Sequence, residues 1–187
     1  MTMTAPTVFQ DKDEVKIAFW VAEYKALRDE ILHYSNLRAR LVELTVVVTG
    51  TLLTIGFERG EALILLIQPL LILLLAIKWA DNSKALLRLA DYIRNVLERD
   101  TPLHWETALV HETQNRKVFQ PLSILSTGGI FLGTQIMSVT AAVLKFGSEF
   151  AGEERALLGV SIVFIAITVA LVRYVALLKK SPVRFVS

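Results

Sequence analysis

The sequence predicts an all-α membrane protein with four transmembrane helices and a cytoplasmic helical stalk formed by extensions of spans 1 and 2. Two observations lead to this fold class. The chain of 187 residues is 53% hydrophobic, with a mean hydropathy of +0.51. Its apolar residues form four continuous blocks, each close to the roughly 20 residues that cross a bilayer as a helix. Continuous blocks favour helices over a barrel, whose strands alternate.

The four blocks, 41–57, 62–80, 122–144 and 156–178, set the domain organisation. They predict a cytoplasmic N-terminal helix (1–40), a first transmembrane hairpin (41–80), a cytoplasmic helical segment (81–121), a second hairpin (122–178) and a cytoplasmic tail (179–187). All but three of the 20 Lys and Arg residues fall on the side that holds both termini, and the exceptions are Arg59, Lys145 and Arg155. Because basic residues stay cytoplasmic, we expect a multi-pass protein of the bacterial inner membrane with both termini inside.

The N-terminal helix carries a heptad seam. Its aromatic and aliphatic residues recur in alternating steps of three and four, which is typical of a coiled coil. No Gly or Pro lies between residue 13 and Gly50, so the helix is expected to run from about residue 13 into span 1. The seam would either self-associate or pack on the apolar stripe of 83–99. Its members are Trp20, Tyr24, Leu27, Ile31 and Tyr34.

Span 3 carries a polar stripe made of Ser123, Thr127, Thr134 and Ser138. Their spacing of four, seven and four places them on one face of a helix. Such a stripe can line a water-filled pore in an oligomer. It can also pack between helices, where Ser and Thr are common in membranes. The sequence leaves both alternatives open.

Glu43 lies near the cytoplasmic end of span 1. A carboxylate in a membrane segment is a functional candidate, and here it would form the gate or inner mouth of a pore. The alternative is an interfacial position, or an ion pair with Arg40 or Arg173.

Four further residues are predicted to shape helix packing. Gly129 and Gly133 form a close-approach motif in span 3, and Gly50 offers a similar surface in span 1. Pro69 follows Gln68 in span 2 and should bend that helix.

The sequence gives no sign of an enzyme. It lacks phosphate-binding glycine loops and nucleophile motifs, and we expect no cofactor. His104 and His111 are seven residues apart but lack the further ligands that a metal site needs, so no metal is expected.

The stretch Glu23-Tyr24-Lys25-Ala26-Leu27-Arg28-Asp29-Glu30-Ile31 resembles a segment that precedes the first span in a group of small bacterial membrane proteins. Pro69 and the later Ala90-Asp91-Tyr92-Ile93 are similar too. The layout also resembles the transmembrane effectors of anti-phage defence systems, including the Hailong type. That resemblance implies a channel-like effector that depolarises the inner membrane. It also implies a regulator, a short single-stranded DNA made by a partner nucleotidyltransferase.

The leading hypothesis from the sequence is therefore an oligomeric inner-membrane ion channel, gated through its cytoplasmic helices and surrounded by membrane lipid. A homo-oligomer, with a tetramer favoured, would supply the pore that four spans are too few to enclose. The alternative is a non-conducting membrane scaffold whose heptad helix recruits a cytosolic partner.

Overall fold

The structure, a computed structural model, describes residues 8–97, 99, 119–148, 150 and 152–178, without the side chains of 8–13 and 119–126. All regular structure in these residues is helical, as predicted. The four helices are α1 (Val8–Arg59), α2 (Ala62–Tyr92), α3 (Phe119–Phe146) and α4 (Gly152–Leu178), and a π-helical turn (Ile93–Leu97) continues α2. Each of the four includes a segment long and apolar enough to cross a membrane, which fits a multi-pass membrane protein.

Helix α1 is unbroken over 52 residues. At ~1.5 Å per residue its length is about 78 Å, more than twice the ~30 Å of a bilayer core. The continuous helix predicted from residue 13 into the first apolar block is therefore present, and it begins earlier, at Val8. With the apolar block in a bilayer, the N-terminal half of α1 must project beyond it.

Helices α1 and α2 form an antiparallel hairpin with a short turn. Gly60 adopts φ +70°, a conformation that favours glycine, and the Glu61 amide donates to the Gly56 carbonyl at 3.2 Å. Gly56 also allows the helices to approach closely, because a Cβ there would lie 2.7 Å from the Leu65 Cδ2 atom.

Helix α2 is the centre of the bundle and packs against each of the other three helices. Half (50%) of its most apolar 18-residue stretch is buried, compared with 11% for α4. Two apolar clusters lie along it. The first contains Ile72, Ala76, Trp79, Ala80, Phe131 and Val175; the second contains Ala62, Leu65, Leu66, Ala142 and Phe150.

The ends of α1 and α2 beyond the apolar blocks also lie side by side. The Tyr92 hydroxyl donates to a Glu23 carboxylate oxygen at 2.8 Å, and Ile93 and Leu97 are buried. We call residues 14–40 of α1, and residues 81–97 of α2 and its π-helical turn, the helical extensions. The predicted apolar partner of the heptad seam therefore packs against α1 in the protomer.

The heptad seam itself is half-buried along its whole length, at Trp20, Tyr24, Leu27, Ile31 and Tyr34. Within one protomer it is partly covered, so self-association through it stays a prediction. The tail at 179–187 and most of 98–118, including His104 and His111, lie outside the described residues.

Candidate functional site

A proline in the first third of α2 creates a polar site inside the bundle. Pro69 has no N–H, so the carbonyl of Leu65, four residues earlier, loses its helical donor. The Ser138 hydroxyl of α3 donates to that same carbonyl at 2.7 Å. A side chain on another helix thus replaces the hydrogen bond that proline removes.

A second serine and a glutamine make similar bonds to the same part of α2. The Ser161 hydroxyl of α4 lies 2.7 Å from the Leu66 carbonyl, and shares its proton with the Leu157 carbonyl of its own helix at 2.8 Å. The Gln135 amide nitrogen donates to the Pro69 carbonyl at 3.2 Å. Helices α3 and α4 are therefore joined to α2 by polar contacts around the proline.

Gln135 also joins α3 to α4. Its second N–H donates to the Thr168 hydroxyl at 3.0 Å, and Thr168 in turn donates to the Phe164 carbonyl at 2.9 Å. Because the Pro69 carbonyl only accepts, the Gln135 amide must turn its nitrogen towards it. The Gln135 Oε1 atom is then left buried without a partner in the described residues.

Helix α1 joins the site through Thr49. The Gln68 amide nitrogen lies 3.1 Å from the Thr49 hydroxyl, and the Gln68 Oε1 atom has no partner among the described residues. One end of this amide faces Thr49, and the other end is unpaired.

We call these six side chains the polar belt. All are at most 2% exposed, and every helix contributes at least one. Buried polar atoms are normally paired, so two unpaired amide oxygens mark a place where a water or another donor would be stabilised. The belt members are Thr49, Gln68, Gln135, Ser138, Ser161 and Thr168.

The predicted pore-lining residues lie in different environments. Ser138 is fully buried and belongs to the polar belt. Thr134 is half-buried and its hydroxyl bonds to the Ile130 and Phe131 carbonyls of its own helix, at 2.8 and 3.0 Å. Thr127 is half-buried, and the side chain of Ser123 lies outside the described residues. Ser138 is thus in the position that the packing alternative predicts, whereas pore lining by this stripe stays a prediction.

Glu43, the predicted gate or inner mouth, lies on the exposed surface of the protomer. The ion pairs within 4.0 Å in the described residues are Lys84–Asp81 and Arg94–Asp91. Glu43 therefore has neither Arg40 nor Arg173 as an ion-pair partner in one protomer.

Of the predicted packing residues, Pro69 is buried in the bundle. Gly50, Gly129 and Gly133 instead face open space, since a Cβ on any of them would meet no atom within 4 Å. Gly133 borders a shallow groove of ≈ 570 Å³ along α3. The close approach of α3 to α4 occurs at the neighbouring Gly128, where a Cβ would lie 2.6 Å from Val172 Cγ1.

Sequence analysis missed Gln135, Ser161 and Thr168 as members of a site. Ser161 and Thr168 are seven residues apart, a spacing that places them on one helical face, and Gln135 lies three residues before Ser138. The sequence therefore contains two pairs of polar residues, each on one face of its helix. It does not show what they bind, because their partners on α2 are 66 or more residues away in sequence.

Comparison with known proteins gives no relative for this arrangement. No family model matches the chain, no curated protein matches it, and no solved structure matches it.

Proposed function

We propose that this protein forms an oligomeric, channel-like pore in the bacterial inner membrane, gated through its helical extensions. Following the resemblance in the sequence, the pore would depolarise the membrane during anti-phage defence. The same resemblance proposes a short single-stranded DNA from a partner nucleotidyltransferase as the regulator.

The observation that carries this proposal is the polar belt. A purely structural anchor can pack apolar side chains throughout its spans, whereas the belt of this bundle alone buries two glutamines and four hydroxyl side chains. Thr49, Gln135 and Thr168 fall near the midpoints of their apolar blocks. Polar groups at such depth are costly and commonly mark the path of ions or water.

The continuity of α1 supports gating through the extensions. Thr49 of the belt and Glu23 of the extension lie on the same unbroken helix. Glu23 is in turn tied to α2 through Tyr92, and α2 carries Gln68 and Pro69. A ligand that moves the extensions would therefore move two helices of the belt.

In the open state of the proposed pore, the polar stripe of α3 forms the lining. In the protomer Ser138 is engaged by the Leu65 carbonyl. We propose that opening exchanges this bond for water and turns Thr127, Thr134 and Ser138 towards an axis shared by several copies. Glu43, exposed near one end of the first apolar block, would then lie at the inner mouth.

Membrane potential in producing cells tests this function. Wild-type protein should depolarise cells that carry a potential-sensitive dye, and Gln135→Leu should weaken the effect because it removes both N–H donors of the belt glutamine. Val163→Ala is the control: Val163 is 55% exposed on α4 and lies outside the polar belt. Polarised cells at a verified membrane level of wild-type protein would contradict the proposal.

A non-conducting scaffold is the second candidate. The N-terminal extension exposes large apolar side chains, with Val15 63% and Phe19 66% exposed, and these would suit a cytosolic partner. The interior position of Ser138 also fits a bundle that does not conduct. A scaffold would leave membrane potential unchanged, and Phe19→Asp would abolish recruitment of its partner.

A further inference from the structure

An arginine with an unpaired N–H among the described residues lies at one end of the bundle. The guanidinium carbon of Arg38 is 5.1 Å from the centroid of the Trp79 ring. The side chain is half-buried, and its Nε–H is buried with no acceptor in the described residues. Arg38 has no ion pair within 4.0 Å there either. Its contact with the indole ring satisfies the charge in part, and leaves the Nε–H without an acceptor.

The indole beneath it is a second unused donor. Trp79 is 1% exposed, and its ring packs on Phe131 with centroids 5.8 Å apart. The Nε1–H of Trp79 is buried and lacks an acceptor in the described part of the chain. The indole nitrogen donates hydrogen bonds and never accepts them, and the same is true of the guanidinium group. Two adjacent side chains thus offer donors alone.

The surroundings of this pair are predominantly basic. Arg38 precedes the first apolar block and Trp79 ends the second, so both lie at the level where the bundle would leave the hydrocarbon. Arg40, Lys78 and Arg173 are exposed at the same end. The nearby acidic side chains, Glu43 and Asp81, are exposed, and Asp81 lies 4.0 Å from Lys84.

We propose that Arg38, held against the face of the Trp79 ring, binds a phosphate oxyanion supplied by the headgroup of an anionic lipid. The planar guanidinium fork matches phosphate oxygens, and the partly exposed Arg38 side chain can reach them. A bilayer presents phosphate at high density at this depth, where basic side chains are attracted to anionic lipid. The bound lipid would therefore hold Arg38 of α1 on Trp79 of α2, at the point where the helical extensions begin.

The test titrates phosphatidylglycerol into phosphatidylcholine nanodiscs that hold the full-length chain, with the thermal unfolding midpoint as readout. The anionic lipid should raise the midpoint of the wild type. Arg38→Gln should raise the half-saturating lipid fraction about tenfold, the loss expected when one charge-assisted hydrogen bond to the phosphate is removed. Arg40→Gln is the matched control, because Arg40 is basic and exposed two residues away, and it should leave the half-saturating fraction within twofold of wild type.

Two milder variants protect the test against a failure of Arg38→Gln to fold. Arg38→Lys keeps the charge but loses the fork, and Trp79→Phe keeps a ring that attracts the guanidinium less strongly; both should weaken the lipid response. Equal responses of the Arg38 and Arg40 variants would overturn the site, since general surface attraction would then suffice. An equal midpoint rise from inorganic phosphate in pure phosphatidylcholine would overturn the lipid as its source.

Discussion

The Ser138 hydroxyl occupies the position where Pro69 leaves the Leu65 carbonyl without a helical donor. Proline is tolerated in membrane helices when a neighbouring side chain satisfies the carbonyl that it frees. The hydrogen bond of Ser138 to Leu65 thus depends on one residue of α3 and one proline of α2. Because it is an exchangeable bond beside that proline, it is the contact that the proposed opening would break.

This account predicts energetic coupling between Ser138 and Pro69. Ser138→Ala should lower the free energy of unfolding by about 1–3 kcal/mol, because it leaves the buried Leu65 carbonyl unpaired. In a Pro69→Ala background the residue 69 N–H is restored, so the same substitution should cost less. Unfolding in mixed detergent micelles measures the four proteins of this double-mutant cycle.

Ser161→Ala is the control for the cycle. Ser161 bonds to Leu66, whose helical donor is the N–H of Leu70 and is present with or without the proline. The coupling energy between Ser161→Ala and Pro69→Ala should therefore be smaller than that between Ser138→Ala and Pro69→Ala. Additive effects of Ser138→Ala and Pro69→Ala would refute the replacement of the missing bond.

At the scale of the helices, the sequence was sufficient to predict the four apolar helices of the described residues. Long apolar runs fix where a helix can lie in lipid, and α1 to α4 each contain one predicted block. The face that each helix turns inwards was not predictable in the same way. A Ser/Thr stripe has the same period whether it lines a pore or meets a carbonyl on α2, and only the tertiary pairing of Ser138 with Leu65 distinguishes them.

The glycines of α3 show the same limit, because their inward or outward direction could not be predicted from the sequence. Gly128 and Gly129 are adjacent in sequence, and the spacing rule pointed to Gly129 and Gly133. In the structure Gly128 faces Val172, while Gly129 faces open space. A rotation of about 100° around the helix axis separates a contact inside the protomer from a surface available to a second copy.

This difference predicts opposite effects of two alanine substitutions. Gly128→Ala should destabilise the protomer by about 1–3 kcal/mol, because its Cβ would overlap Val172. Gly129→Ala should leave protomer stability within about 0.5 kcal/mol of the wild type, and should weaken the oligomer if this face forms the contact between copies. Unfolding and detergent-corrected mass of each variant report the two effects separately. Equal destabilisation of the protomer by both would contradict the placement of α3 against α4.

For the whole molecule, the proposal links three features along the bundle. The helical extensions are continuous with α1 and α2, the polar belt joins all four helices, and the Arg38–Trp79 pair lies between them. One protomer of four spans is too small to surround a wide water path, so conduction requires several copies around an axis. The exposed glycines of α3 and the exposed Glu43 are the protomer surfaces that such an assembly would bring together.

Ion flux through the purified protein in sealed liposomes tests conduction by this assembly most directly. Wild-type protein should release a trapped ion gradient, and Thr127→Leu combined with Thr134→Leu should reduce the flux at least tenfold at equal incorporation, since leucine would replace the hydroxyls of the lining. Val163→Ala, on the exposed surface of α4, should conduct as the wild type does. Vesicles that stay sealed despite full incorporation of the wild-type protein would contradict the channel, and unchanged flux in the double variant would remove the polar stripe of α3 as its lining.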